Sequence, residues 1–327
     1  MMKTDERILQ FFAEHEGAYL SGETLAKNLD MSRAAIWKAI KKLTEQGHVI
    51  DSQHHVGYRY QSGNVLSVPM IKQLTHNDWQ IQLFESVDST NTYAKEALTR
   101  GDVTAPTMIV ANQQTGGRGR LGRTFVSPAD TGLYISFALP LPIGTLVLPG
   151  LLTTGTAVAV SRAIKKTIGI ELDFKWVNDL LFNNRKVGGI LTEAVMDFES
   201  QQVSAIVVGI GLNLQRPKNL DATLENKVGG MVTELTVSRN TIVAALCDEF
   251  VKLYAEYTDG SFLTAYRKRN IVIGRTITVK YGKELVTGVA KAIDEQGQLL
   301  VDTGDDIKII NSGEVLKVQL PNDVYQG

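Results

Sequence analysis

Cysteine is almost missing from this chain of 327 residues: Cys247 stands alone, so no internal disulfide can form. It sits in an apolar helical pattern with Ile242, Val243, Leu246 and Phe250, the setting of a packed thiol rather than a nucleophile. Long apolar runs are missing too. None reaches the ~18 residues that would suggest a membrane span. The first residues, Met1-Met2-Lys3-Thr4-Asp5-Glu6-Arg7, lack the apolar stretch of a secretion signal. The expectation is a cytoplasmic protein with no membrane partner. Charge of one sign is not in excess either. With 34 Lys and Arg against 35 Asp and Glu, the net charge is −1, and no global pull toward nucleic acid follows. Any such role must rest on a local patch. There is no repeat and no low-complexity segment. What is present is ordinary for globular protein, 43% hydrophobic and 21% charged, at a length that suits two or three domains.

The order of patterns predicts an α+β chain of three segments. Residues 1–63 read as short helices and a hairpin. Ile8, Leu9, Phe11 and Phe12 mark a first helix. Ser21 is placed to cap a second over 22–29, and Ser32 a third running to about residue 46, where Gly47 suits the residue after the cap. Ile36, Ile40 and Leu43 form the apolar stripe of the third helix. A hairpin follows, with its turn near 54–57. Residues 64–270 predict a mixed α/β domain. Its strands are expected at 81–84, 108–111, 133–139, 174–177, 180–182, 187–195 and 204–210, and its helices at 90–99, 151–168 and 241–257. Asn183-Asn184 is a turn signal that makes 174–195 a hairpin and argues against a purely parallel sheet. Residues 271–327 read as five short strands separated by glycine turns, a small barrel of the SH3 type.

The spacing over 21–46 is that of a helix-turn-helix, and the hairpin after it stands where a wing would. The third helix carries Arg33, Lys38, Lys41 and Lys42, with no acid between Arg33 and Thr44. Ser32 and Arg33 at its start suit entry into a major groove, and the lysines suit phosphate contacts. The segment 1–60 is nevertheless neutral, with eight basic and eight acidic residues. His54 and His55 lack a Cys, Asp or Glu at ligand spacing and read as solvent-facing residues of the wing.

Chemistry is suggested most strongly by Gln113-Gln114-Thr115-Gly116-Gly117-Arg118-Gly119-Arg120-Leu121-Gly122-Arg123-Thr124-Phe125. It is not a Walker A loop, because no Gly-Lys-Ser/Thr closes it. Its glycines let backbone approach a ligand, and its arginines can surround a phosphate. Val87-Asp88-Ser89-Thr90-Asn91 lies at a strand-to-helix junction, where free amides favour an anion. Phe174-Lys175-Trp176-Val177-Asn178-Asp179 sets polar residues among apolar ones. Arg185-Lys186-Val187-Gly188-Gly189 puts a basic pair before two glycines. Val208-Gly209-Ile210-Gly211-Leu212-Asn213 brings an amide to the end of a buried strand. Each alone has an ordinary structural explanation, as a surface loop, a cap or a turn.

Taken together and in this order, the five motifs resemble the biotin–protein ligase family, and the flanking segments extend the likeness to its bifunctional ligase and biotin-operon repressor form. The resemblance implies a winged helix, a catalytic domain of the biotin/lipoate ligase type and an SH3-like C-terminal barrel. It implies that biotin and ATP, with Mg²⁺, form biotinyl-5′-AMP, and that a lysine of a biotin carboxyl carrier protein then takes the biotinyl group. No enzyme nucleophile is needed. The protein must hold two anions together and stabilise charge on the phosphoryl group. By position, Ser89, Thr90, Asn91 and Gln114 would meet the biotin rings. Gly117, Arg118, Gly119 and Arg120 would close over biotin and adenylate, with Arg118 counted among the catalytic groups. Lys186 would bridge the biotin carboxyl and the α-phosphate. Arg123, Phe125, Asn178 and Asn213 would lie toward ATP. Asp179 would support a metal or orient the incoming amine. Operator DNA and a homodimer formed on adenylate binding are the further implied partners. Three residues depart from the family pattern: Val177 replaces a common proline, Phe125 a common tryptophan, and Leu121 an arginine found in some relatives. A lipoate–protein ligase and a ligand-sensing repressor without catalysis are the rival readings.

Overall fold

The structure is a computed structural model that describes residues 4–61, 64–197, 199–218, 220–320 and 323–326. It falls into two compact units, residues 1–78 with 236–245, and residues 79–235 with 246–327. The boundary expected between 63 and 64, and Met1, Met2 and Lys3 of the polar start, touch positions outside the described residues.

The first unit begins with α1 (Thr4–Glu14), α2 (Gly22–Leu29) and α3 (Arg33–Glu45). The predicted caps form: the Ser21 hydroxyl accepts from the Thr24 amide at 2.9 Å, and Ser32 from the Ala35 amide at 3.2 Å. Each satisfies an amide that the first turn leaves without a helical partner. Ile8, Leu9, Phe12, Leu25, Ile36, Ile40 and Leu43 meet in one core. The wing is β1 (Ile50–Gln53) paired antiparallel with β2 (Gly57–Tyr60). Leu20 bridges to Tyr58 as a third rung, and a Cβ at Gly57 would lie 2.2 Å from the Leu20 carbonyl, so only glycine fits there. Next comes α4 (Val68–Leu74), a helix that sequence periodicity did not suggest. Its seven residues are too few for the period to register, and Pro69 sits in its first turn, where a missing amide costs nothing.

The second unit holds β3 (Gln80–Val87), α5 (Thr90–Arg100), β4 (Thr107–Gln114), β5 (Gly132–Pro140), α6 (Pro149–Ile168), β6 (Asp173–Lys175), β7 (Asp179–Phe182), β8 (Arg185–Met196) and β9 (Val203–Asn213). After these come α7 (Ala222–Glu225), α8 (Arg239–Glu256), whose start belongs to the first unit, and α9 (Leu263–Lys268). The sheet order is β3-β4-β5-β9-β8-β7-β6. Only β3 and β4 run parallel, joined by α5 in a βαβ crossover; every other neighbour pair is antiparallel. Phe137 of β5 stacks flat on Phe250 of α8, with ring centroids 3.8 Å apart.

One expectation needs correction. Residues 174–195 form two hairpins, not one. Asn183 and Asn184, both left-handed, turn β7 into β8, while Trp176, Val177 and Asn178 turn β6 into β7. Trp176 is an apolar residue at a bend because its ring is fully buried and its indole N–H donates to the Gly297 carbonyl at 3.0 Å. Tertiary packing there outweighs local turn chemistry.

The C-terminal part is β-rich throughout: β10 (Thr276–Tyr281), β11 (Glu284–Ile293), β12 (Leu299–Asp302), β13 (Ile307–Ile310), β14 (Glu314–Leu320) and β15 (Asp323–Gln326). All pairs are antiparallel, in the order β13-β12-β11-β10-β14-β15, and the five expected strands each occur, with β15 in addition.

Candidate functional site

One cavity in the second unit gathers residues from all five motifs. It opens where the parallel pair ends, at the C-terminal ends of β3 and β4, where ligands collect in α/β sheets. Ser89 caps α5, accepting from the Thr92 amide at 3.4 Å. Gln114 accepts from the Thr90 amide at 2.8 Å and donates to Ser127 at 2.9 Å. Asn91 donates to Glu193 at 2.7 Å and to the Leu191 carbonyl at 3.2 Å, and the Ser136 hydroxyl lies 2.6 Å from its oxygen. These bonds fix the side chains before any ligand arrives. A Cβ at Gly209 would fall 2.2 Å from the Asn91 oxygen, so the strand floor beneath Asn91 has to be glycine.

The Gly/Arg loop is a small hairpin, not a loose segment. Arg118 bridges to Thr124, the Gly119 amide donates to the Arg123 carbonyl at 2.7 Å, and the Phe125 amide to Gly117 at 2.9 Å. Leu121 and Gly122 turn the chain with φ of 56° and 76°, which glycine accepts freely and leucine does not. Gly117 does not line the cavity. A Cβ there would sit 2.3 Å from the Phe125 carbonyl, so its glycine serves the hairpin's own close packing. Phe125 lies against Gly211, where a Cβ would be 2.7 Å from its ring.

Opposite the loop stands a buried charge cluster. Asp179 lies between Lys186 at 2.5 Å and Lys175 at 3.0 Å. Burial pushes its carboxyl up, but the two lysines outweigh burial and hold it down at about 2. Asn178 donates to the Ile190 carbonyl at 3.1 Å. Val177, in place of proline, is held all the same: its carbonyl accepts from the Tyr266 hydroxyl at 3.0 Å. Arg120 donates to the Gly313 carbonyl at 2.9 Å, and burial pushes its guanidinium down from the ordinary value. Arg123 pairs with Glu314. In all, six cationic side chains line the cavity (Arg118, Arg120, Arg123, Lys175, Lys186 and Lys227) against two carboxylates, Asp179 and Glu314. Such a lining selects an anion. At the far end the Asn213 oxygen is buried without a hydrogen-bond partner, which is what an acceptor awaiting a ligand's N–H or O–H looks like.

Lys175, Glu314 and Val315 were missed as site residues. Lys175 stood inside a quoted motif, and its central place among apolar neighbours was the available signal. Glu314 and Val315 lie more than a hundred residues from the motifs and give no local sign. A metal cage is not present: no group of three His, Cys, Asp or Glu that could hold an ion occurs among the described residues. Both oxygens of Asp179 are engaged by lysines, so its donor chemistry does not suit direct metal ligation.

The expected DNA contacts all belong to the first unit. Ser32 caps α3, and Arg33 and Lys38 are exposed. Lys42 pairs with Asp5 of α1, and Lys41 lies 3.9 Å from Glu45 and over the Trp37 ring. Trp37 is itself 55% exposed, a large apolar surface on the helix expected to meet DNA.

Comparison with known proteins gives a consistent picture. The sequence model of the biotin/lipoate A/B protein ligase family matches residues 83–213, an HTH domain matches 4–59, and the biotin protein ligase C-terminal domain matches 272–318. The bifunctional ligase/repressor BirA of Bacillus subtilis is 30% identical over 322 residues, covering 94% of this chain and 97% of its own. That of Escherichia coli is 29% identical over 308 residues, covering 91% and 93%. The biotin protein ligase of Aquifex aeolicus, solved in complex with biotin and ATP, superposes with a TM-score of 0.61 at 26% identity, covering 76% of this chain and 99% of that one.

Proposed function

The chain belongs to the biotin protein ligase family in its bifunctional ligase/repressor form, and on that premise we propose how its residues divide the work. It is an ATP-dependent ligase that makes biotinyl-5′-AMP and passes the biotinyl group to a lysine of a biotin carboxyl carrier protein. It is also a repressor that reads operator DNA through its helix-turn-helix. The observation that carries the ligase reading is one cavity that joins a prefixed polar wall at Ser89, Thr90, Asn91 and Gln114 to six cations. The wall takes the biotin rings, and the cations other than the buried Lys175 take the carboxylate and phosphates.

In the first step a biotin carboxylate oxygen attacks the α-phosphorus, and pyrophosphate leaves with the bonding pair. Lys186 lies toward both anions and stabilises the charge that builds between them. Arg118 and Arg120 close over the adenylate. Arg123, Phe125, Asn178 and Asn213 hold the nucleotide, with the unpaired Asn213 oxygen accepting from it. Mg²⁺ bound with the nucleotide would supply charge to offset the phosphates, and the described residues offer no group of three ligands to hold it. In the second step the acceptor amine attacks the anhydride carbonyl and AMP departs. Asp179 serves by holding the lysines rather than by binding the metal. Incubation with labelled biotin, ATP and a carrier domain tests the reading. Label on the carrier lysine is expected; ATP-dependent transfer of lipoate instead would replace it.

Three finer assignments accompany this reading. The chain works in the cytoplasm, where its nucleotide is held. Its working divisions are 1–63, 64–270 and 271–327. It pairs as a homodimer when adenylate holds the Gly/Arg hairpin in place, because fixing the hairpin by ligand lowers the entropy cost of a contact that needs it so placed. Two wings then meet a two-fold operator. Biotin with ATP should raise the sedimentation coefficient and tighten operator binding, and neither alone should do so to the same degree. Equal values in all conditions would remove the dimer.

A further inference from the structure

Lys175 is the most buried lysine of the cavity, with a side chain 4% exposed against 33% for Lys186. A cation so deeply buried needs paired and hydrogen-bonded neighbours. The Lys175 ammonium donates to the Val315 carbonyl at 3.1 Å and lies 3.0 Å from Asp179. The two lysines use different oxygens of Asp179, Lys175 meeting Oδ2 and Lys186 meeting Oδ1. On the adenylation reading, which this inference rests on, Lys186 has to turn from Asp179 to the substrate anions. A buried carboxylate that loses its cation is strongly destabilising. With Lys175 in place the carboxylate is never stripped.

We propose that Lys175 is a positioning residue: it keeps the Asp179 carboxylate paired while Lys186 moves from that carboxylate to the substrate anions. Because Lys175 also holds the Val315 carbonyl, the counter-charge is anchored in the C-terminal sheet and does not travel with Lys186. Lys175 itself stays behind Asp179 and does not touch the reacting atoms.

The test is biotin-dependent ATP–pyrophosphate exchange by the full chain, with Lys175→Met, Lys175→Arg, Asp179→Asn and the double variant Lys175→Met/Asp179→Asn. In Lys175→Met the lysine that still pairs with Asp179 is Lys186, which becomes locked to it. The expected loss is about 10–100-fold in kcat, the scale seen when a partner that orients a functional group is removed. KM for ATP should move much less. Lys175→Arg should regain most of the rate by restoring the charge. The double variant should exceed Lys175→Met, because it removes the carboxylate that locks Lys186; that departure from additivity is a signature that packing alone does not give. If Lys175→Met does not fold, Lys175→Arg and the double variant decide between them, since both keep the charge balance. A folded Lys175→Arg as inactive as Lys175→Met, or strictly additive losses, would overturn the proposal. A wild-type chain without exchange fails the functional reading instead, which separates the two.

Discussion

The cations of α3 and those of the cavity are the same residue types put to different uses. On α3, Arg33 and Lys38 stand in solvent, Lys41 is 61% exposed beside Glu45, and Lys42 is held by Asp5. Surface pairs of this kind are worth between nothing and about 1 kcal/mol and weaken with salt. In the cavity, Lys175 and Lys186 share one buried carboxylate and hold it ionised far below the ordinary range. The lesson is that burial, not charge count, sets what a cation can do. An exposed set of this kind suits attraction of a polyanion through counterion release, and a buried set suits stabilising charge at one point in space.

Removing a cation from each side sharpens the contrast. Lys186→Ala should cost roughly 3–4 kcal/mol of transition-state stabilisation, the scale for one preorganised donor. The rate of labelled-biotin transfer to a carrier domain measures it, and transfer near the wild-type rate would take Lys186 out of the site. The next effect is in acid. The folded Asp179 value, about 2, lies below its ordinary 3.8. The unfolded chain therefore takes the proton first. The stabilisation, about 2 kcal/mol, is whole above 3.8 and is lost as pH falls from there through about 2. The ¹³C shift of the Asp179 carboxyl should stay constant from pH 7 down to about 4. A midpoint at or above 4 would show that the lysines do not hold it. The smallest effect is on α3. Arg33→Ala and Lys38→Ala should each lower the salt slope of DNA binding by about 1 if each side chain meets a phosphate. Lys42→Ala should lower it less, because Asp5 already holds that ammonium. Anisotropy on duplexes enriched by the wild-type chain checks this, and an equal fall for all three would erase the difference.

Local chemistry was legible in the residues, and distant packing was not. Ser21, Ser32 and Gly47 marked helix ends because caps act within one turn. Asn183-Asn184 marked the β7–β8 turn because a left-handed pair has few residue choices. The five motifs lay in one cavity because each sits at the end of a strand or the start of a helix of one sheet. The second hairpin at Trp176 was hidden because its cause is Gly297, far along the chain. For the same reason the roles of Glu314 and Val315, which hold Arg123 and Lys175, left no trace near the motifs. The Asp5 partner of Lys42 was also unreadable, since periodicity places both residues on faces but does not say which faces meet.

Exchange of labelled pyrophosphate into ATP by the full chain tests the adenylation assignment most directly, because it isolates the step the cavity is built for and needs no acceptor. Exchange is expected only with biotin and Mg²⁺ present, with lipoate unable to replace biotin. Exchange that proceeds without biotin, or none at all from a folded chain that binds both substrates, would contradict the assignment of this cavity to biotinyl-adenylate synthesis.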